Sequence, residues 1–372
     1  MKPAILAALL TTCLFGQPVQ QIEVRGHPGQ SYSLFVPSTY RAGRPSPIVY
    51  CLDPGARGRV PVERYAAAAE KAGFLLAGSN NSRNGAIAPS REAIGLMVVD
   101  TNERYAIDPD RIYAAGLSGG ARLALSWALG QNGRIAGVIA CSAGFGADTP
   151  KQLPFKLFAT TGFDDFNHDE LYRNSRDLAR RKVLHRFVEF EGGHEWMPAA
   201  LAADAFAFFA GQLPAQAAQA SKDAERQSEQ YERLMAQIQA GGDGERHAAI
   251  RQAQKDAARE TDSPERRVAR RVIGGVSIGS MESVREFLAQ KRYGDAAKAA
   301  DTAVLIRPDN AGAWYSLAVA NAGSGNTKRA LDALEEAATR GFRGWERAEQ
   351  EPALAKARRD PRYSAILFKL KG

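Results

Sequence analysis

Between residues 31 and 212, short apolar runs alternate with longer stretches whose apolar residues recur every three or four positions. Runs of four to eight apolar residues read as buried strands, and the longer periodic stretches read as helices. Strands are expected at 32–36, 47–52, 74–77, 112–115, 135–141, 156–160 and 183–190. Helices are expected at about 62–72, 89–105, 121–129, 169–181 and 199–210. Strands that are apolar throughout and separated by helices predict an α/β fold with a doubly wound, mostly parallel sheet.

The pattern changes after Leu213-Pro214. Residues 215–272 are rich in Ala, Gln, Glu, Arg and Lys and nearly lack aromatics. Tyr231, Leu234, Met235 and Ile238 form one narrow apolar stripe at helical spacing, and Gly241-Gly242-Asp243-Gly244 breaks that helix. A polar helical connector is expected over 213–275. In the last hundred residues Trp314, Leu317, Ala318, Gly325, Ala330, Leu334 and Ala337 keep a repeat spacing. A step of 34 residues back finds Val284, Ala296, Ala303 and Pro308. Residues 276–372 thus resemble tetratricopeptide repeats, all-α hairpins with small residues where helices approach. The tail from Asp360 to Leu370 reads as a capping helix.

The first residues carry Lys2 and then an apolar run from Ala4 to Phe15. That run is too short to span a bilayer and fits the core of a signal peptide, so residues 1–21 are expected to be an export leader. The protein is expected in the periplasm or outside the cell. Cys13 fits a lipid-attachment box poorly, because threonine precedes it. The net charge of +8 does not point to nucleic acid, since the basic residues are spread along both halves without a concentrated footprint. Arg266-Arg267-Val268-Ala269-Arg270-Arg271 reads as one solvated helix face. Cys51 and Cys141 lie within apolar strands and read as small buried hydrophobes. No Cys and His cluster suggests a metal, and no cofactor is implied.

One segment carries chemistry. The strand at 112–115 runs into Gly116-Leu117-Ser118-Gly119-Gly120 and then a helix, the layout of a nucleophile elbow. A serine hydroxyl needs a base within reach and an acid to orient that base. Of His27, His168, His185, His194 and His247, only His194 follows the last strand, in the loop Gly192-Gly193-His194-Glu195-Trp196. The acid is sought after the strand at 156–160, where Asp165 is favoured over its neighbour Asp164 and over Asp148. Two donors for an oxyanion are expected from the backbone of Gly119 and from Gly55 or Ala56 in the loop Asp53-Pro54-Gly55-Ala56-Arg57-Gly58. Arg57, Arg59 and Arg83 lie in loops on the same side, and Arg57 and Trp196 are candidate substrate contacts.

The stretch Asp108-Pro109-Asp110-Arg111-Ile112-Tyr113 leading into the elbow resembles the α/β-hydrolase superfamily, especially secreted esterases of the polyhydroxybutyrate-depolymerase and feruloyl-esterase kind. The likeness covers residues 22–212. It implies Ser118, Asp165 and His194 as a triad acting on a small-molecule or polymer ester. Many relatives carry His-Gly where this chain has Asp53-Pro54, which puts the second donor's geometry in question. A serine peptidase of the same fold, or a hydrolase-like scaffold with a protein-binding repeat module, are the rival readings. The repeats suggest a protein partner.

Overall fold

A computed structural model describes residues 18–214, 222–240 and 242–372. The chain divides into two compact units, Met1–Ala220 and Ser221–Gly372. The first holds one eight-stranded sheet, built from β1 (Gln20–Glu23), β2 (Ser31–Phe35), β3 (Ser46–Leu52), β4 (Leu75–Ser79), β5 (Ile107–Leu117), β6 (Gly137–Cys141), β7 (Lys156–Gly162) and β8 (His185–Phe190). Their spatial order is β1-β2-β4-β3-β5-β6-β7-β8. β2 runs against both neighbours, and the pairs from β4 to β8 are parallel. This is the α/β fold with a mostly parallel sheet that the alternating pattern predicts.

Alternation along each strand assigns the two faces. Ile48, Tyr50 and Leu52 of β3 join one apolar layer with Ile94 and Met97 of α2 (Ile87–Arg104), Leu125 of α3 (Gly119–Gly130) and Leu178 of α4 (His168–Arg180). Val49 and Cys51 join the other, with Val62 and Tyr65 of α1 (Arg59–Ala72) and Phe206 and Phe209 of α5 (Ala199–Phe209). A slip of one residue in register would exchange these faces, so burial on both sides fixes the pairing. Phe74 stacks on Phe206 and Tyr113 on Phe209, each with ring centroids 4.6 Å apart. The last turn of α5 lies at the rim where β6 and β7 begin, with Lys156 Nζ donating to the Phe209 carbonyl at 2.8 Å. Cys51 and Cys141 are unpaired and fully buried in this second layer, and burial pushes both thiols up.

β1 is absent from the sequence reading. Three of its four residues are polar and exposed, so no apolar alternation marks it. Pairing with β2 holds it in place. It begins at Gln20, inside the stretch assigned to the export leader. Residues 1–17, including Cys13, lie outside the described residues.

The second unit is helical: α6 (Lys222–Ala240), α7 (Asp243–Ala257), α8 (Pro264–Ala289), α9 (Tyr293–Ile306), α10 (Ala311–Gly323), α11 (Thr327–Thr339), α12 (Trp345–Gln350) and α13 (Arg362–Lys371). Ile238, Ile250, Val268, Val272 and Ile306 bind α6 to α9 into one core. The break expected around Gly242 falls between α6 and α7; Gly241 lies outside the described residues. Ser263 caps α8 by accepting from the Arg266 N–H, and Pro264 takes the first helical position, where its missing N–H costs nothing. α8 then runs unbroken for 26 residues, across the expected connector boundary at 275. Asn310 and Asn326 cap α10 and α11 in the same way. Val284, Ala303, Leu317, Ala318, Leu334 and Ala337 are buried where α8 to α11 pack, and alanines there let the helices approach closely. Tyr363, Ile366 and Leu370 close that core from α13.

Candidate active site

Ser118 sits between β5 and α3 with φ 54° and ψ −123°, a conformation that L residues rarely adopt. Such strain costs about 1–3 kcal/mol and persists only where the surroundings over-determine it. Here they do. The Ser118 N–H donates to the Cys141 carbonyl of β6 at 2.9 Å. Its own carbonyl accepts from the N–H groups of Ala121 and Arg122 in the first turn of α3. The flanking glycines make the turn possible. A Cβ on Gly116 would lie 2.2 Å from the Gly120 carbonyl oxygen, and one on Gly120 would lie 2.0 Å from that of Leu52. Gly119 opens α3, where a helix leaves backbone N–H groups without carbonyl partners of its own.

On the same rim, where the parallel strands end, the loops after β7 and β8 meet. His194 Nδ1 and Asp165 Oδ1 are 2.8 Å apart, and the Asp165 side chain is fully buried. Asp165 also accepts from the Asn167 N–H at 2.9 Å and from Thr161 Oγ1 at 3.2 Å. Three donors thus converge on this buried carboxylate. With Nδ1 donating to it, the imidazole leaves Nε2 as its acceptor. The Phe166 ring stacks on the imidazole, with centroids 4.0 Å apart. Ser142, itself at φ 58°, ties β6 to both loops: its hydroxyl donates to the Glu195 carbonyl, and its carbonyl accepts from Asn167 Nδ2.

Of the three aspartates considered from sequence, Asp165 is the one that holds His194. Asp164 is half-buried, its N–H donating to the Gly192 carbonyl, and Asp148 stands exposed in the loop after β6. Among the other histidines, His168 pairs with Glu189 and His185 with Ser175 Oγ. His27 is exposed, and His247 belongs to the second unit.

Three expectations need correction. The Gly55 N–H donates to Asp53 Oδ1 at 2.8 Å, and the Ala56 N–H donates to the Asp53 carbonyl at 3.1 Å. Both expected oxyanion donors are therefore engaged within their own loop. The reason is the aspartate at 53, whose short carboxylate folds onto the N–H two residues on. Trp196 is not a surface contact either. It is 3% exposed, packs edge-on against Tyr65, and its indole N–H donates to Asp53 Oδ2 at 3.0 Å. Arg57 is exposed, but its guanidinium is spent on the same carboxylate, Nε to Oδ1 at 2.9 Å and Nη2 to Oδ2 at 3.2 Å. Burial pushes the Asp53 carboxyl up, yet the bonds from Arg57, Trp196 and Gly55 outweigh it and hold the group below the usual carboxylate range.

No protein-family model matches the chain, and no curated protein matches it. Solved structures do. An S-formylglutathione hydrolase from Staphylococcus aureus is similar at 17% identity over 52% of this chain and 97% of that one, with a TM-score of 0.42. A ferulic acid esterase is similar at 15% identity, over 54% of this chain and 100% of that one, with a TM-score of 0.43. An S-formylglutathione hydrolase from Agrobacterium tumefaciens gives 14% identity, 54% and 97% coverage, and 0.43. Each is a likeness of fold.

Sequence reasoning passed over Thr161, Ser142, Phe166 and Asn84. The first three act by meeting a neighbouring loop, which no local spacing announces. Asn84 lies in the loop between β4 and α2, beside Gly119. Among the described residues no cluster of three or more His, Cys, Asp or Glu side chains is placed to hold a metal ion.

Proposed function

We propose that the first unit is a serine hydrolase that cleaves carboxylic esters through an acyl-enzyme. The observation that carries this reading is the Asp165–His194 bond on the rim where the strained Ser118 stands. His194 Nε2 takes the Ser118 proton as Oγ attacks the ester carbonyl carbon, and Asp165 stabilises the imidazolium that forms. The Gly119 N–H, at the positive end of α3, meets the oxyanion. The tetrahedral adduct collapses, and the alcohol leaves with the proton from His194. Water then attacks the acyl-enzyme by the same route, and the acid leaves.

A fluorophosphonate probe and a p-nitrophenyl ester test this directly. The unsubstituted chain is expected to be labelled and to turn over, and Ser118→Ala to do neither. Labelling or turnover that survives Ser118→Ala would overturn the reading.

The buried small residues of α8 to α11 support a tetratricopeptide-like stack that takes a protein partner. The apolar run from Ala4 to Phe15 supports export.

A further inference from the structure

We propose that the side-chain carboxamide of Asn84 supplies the second hydrogen bond to the oxyanion formed at Ser118. The proposal rests on the serine-hydrolase reading and deepens it. Acyl transfer calls for two donors converging on the developing charge, and one backbone N–H leaves the oxyanion half-met. The Gly55 and Ala56 N–H groups are committed to Asp53. A donor must come from elsewhere on this rim.

Asn84 stands in that place. Its backbone N–H donates to the Pro54 carbonyl at 2.9 Å, and the adjacent Arg83 forms a β-bridge with Gly55. The segment is thereby strapped to the loop after β3, beside the elbow. Its side chain lies over the residue that follows the nucleophile. A Cβ on Gly119 would sit 1.9 Å from Asn84 Oδ1 and 3.2 Å from Nδ2. Gly116 and Gly120 are glycines because backbone crowds them; Gly119 is one because this carboxamide occupies its side-chain space.

The carboxamide makes no hydrogen bond to any described residue. A half-turn about its Cβ–Cγ bond exchanges oxygen and nitrogen without breaking a bond to protein, and brings two N–H donors to the Gly119 side. Asn84 is exposed, so water serves these donors until substrate displaces it. Once the carbonyl oxygen gains charge, the bond to it is charge-assisted and strengthens in the transition state above the ground state.

The test is steady-state kinetics of the full chain on a p-nitrophenyl ester, with melting temperature measured alongside. Asn84→Ala is expected to lower kcat by about 10²–10³ while KM moves less than about threefold. Asn84→Asp, equal in shape but without donors, is expected to lose at least as much. Gly119→Ala keeps its N–H but displaces the carboxamide, so its loss and that of Asn84→Ala are expected not to add in the double variant. An Asn84→Ala protein within about threefold of the unsubstituted kcat overturns the proposal, as does an active Asn84→Asp or full additivity with Gly119→Ala. An unsubstituted chain that neither labels with fluorophosphonate nor turns over overturns the hydrolase reading and this proposal together. Normal labelling at Ser118 with unchanged Asn84 variants overturns this proposal alone.

Discussion

The indole Nε1 of Trp196 donates to Oδ2 of Asp53 at 3.0 Å, joining the loop after β3 to the His194 loop across 143 residues of chain. Asp53 is fully buried at its side chain and also holds Gly55 and Arg57, so one carboxylate fixes three groups. Asp53→Ala leaves the buried indole N–H without an acceptor, which costs about 1–3 kcal/mol. Asp53→Asn keeps an acceptor of the same shape and is expected to lose less. Urea denaturation midpoints of the two variants check this order.

The same carboxylate gives stability a pH dependence of definite sign. Its acidity in the folded chain is raised relative to the unfolded one, where an aspartate titrates near about 3.9. Its contribution is therefore full above that value and is lost as pH falls through the lower folded value. The stability gap between the unsubstituted chain and Asp53→Asn is expected to be flat from about pH 5 to 7 and to narrow below about pH 4. A gap that widens on acidification would contradict the assignment.

Ser118→Gly separates stability from chemistry. Glycine adopts φ 54° without penalty, so about 1–3 kcal/mol of strain is released against roughly 0.5–1 kcal/mol of added unfolded-state entropy. The variant is expected to be about 1 kcal/mol more stable and inactive. Calorimetric melting paired with an ester assay reads both effects.

Gly116→Ala should do the reverse. Its Cβ would press within 2.2 Å of the Gly120 carbonyl oxygen, and neither strand nor helix can give way without moving the other. A loss of about 3 kcal/mol is expected, with turnover falling in step. Melting and kinetics that stay near those of the unsubstituted chain would show a looser turn than this one.

Asp165→Asn keeps the shape of the buried acid but not its charge. The amide offers Nδ1 no anion to stabilise an imidazolium, and it favours the wrong tautomer of His194. On the proposed mechanism kcat falls by about 10⁴ with little change in KM. Steady-state kinetics on a p-nitrophenyl ester read kcat and KM separately and check this split.

The central strands were legible because both faces are covered, which forces Ile48 to Leu52 and Ile112 to Leu117 to be apolar almost throughout. β1 was not, because an exposed edge needs partners more than it needs apolar residues. The elbow was legible from its glycines, each required by a close approach: Gly116 to the Gly120 carbonyl, Gly120 to that of Leu52, and Gly119 to the Asn84 carboxamide. Spacing from Gly162 favours Asp165 over Asp164; what spacing does not record is that the Asp165 side chain is buried and meets His194. Trp196 suggested a substrate contact by following His194, yet its partner lies in another loop that only folding brings near. Gly55 and Ala56 looked like open donors for a similar reason. A carboxylate two residues away turns back onto them, and no hydrophobic pattern records that turn.

Lys156 and Phe209 meet at the rim where the strands start, and Ser118 stands at the rim where they finish. The seven residues of β7 separate the two rims by about 20 Å. Pro214, whose carbonyl accepts from Arg186 Nη1 near the start of β8, therefore lies at the end of the sheet away from Ser118. A label attached at Pro214 would leave the loops around Ser118 unmodified.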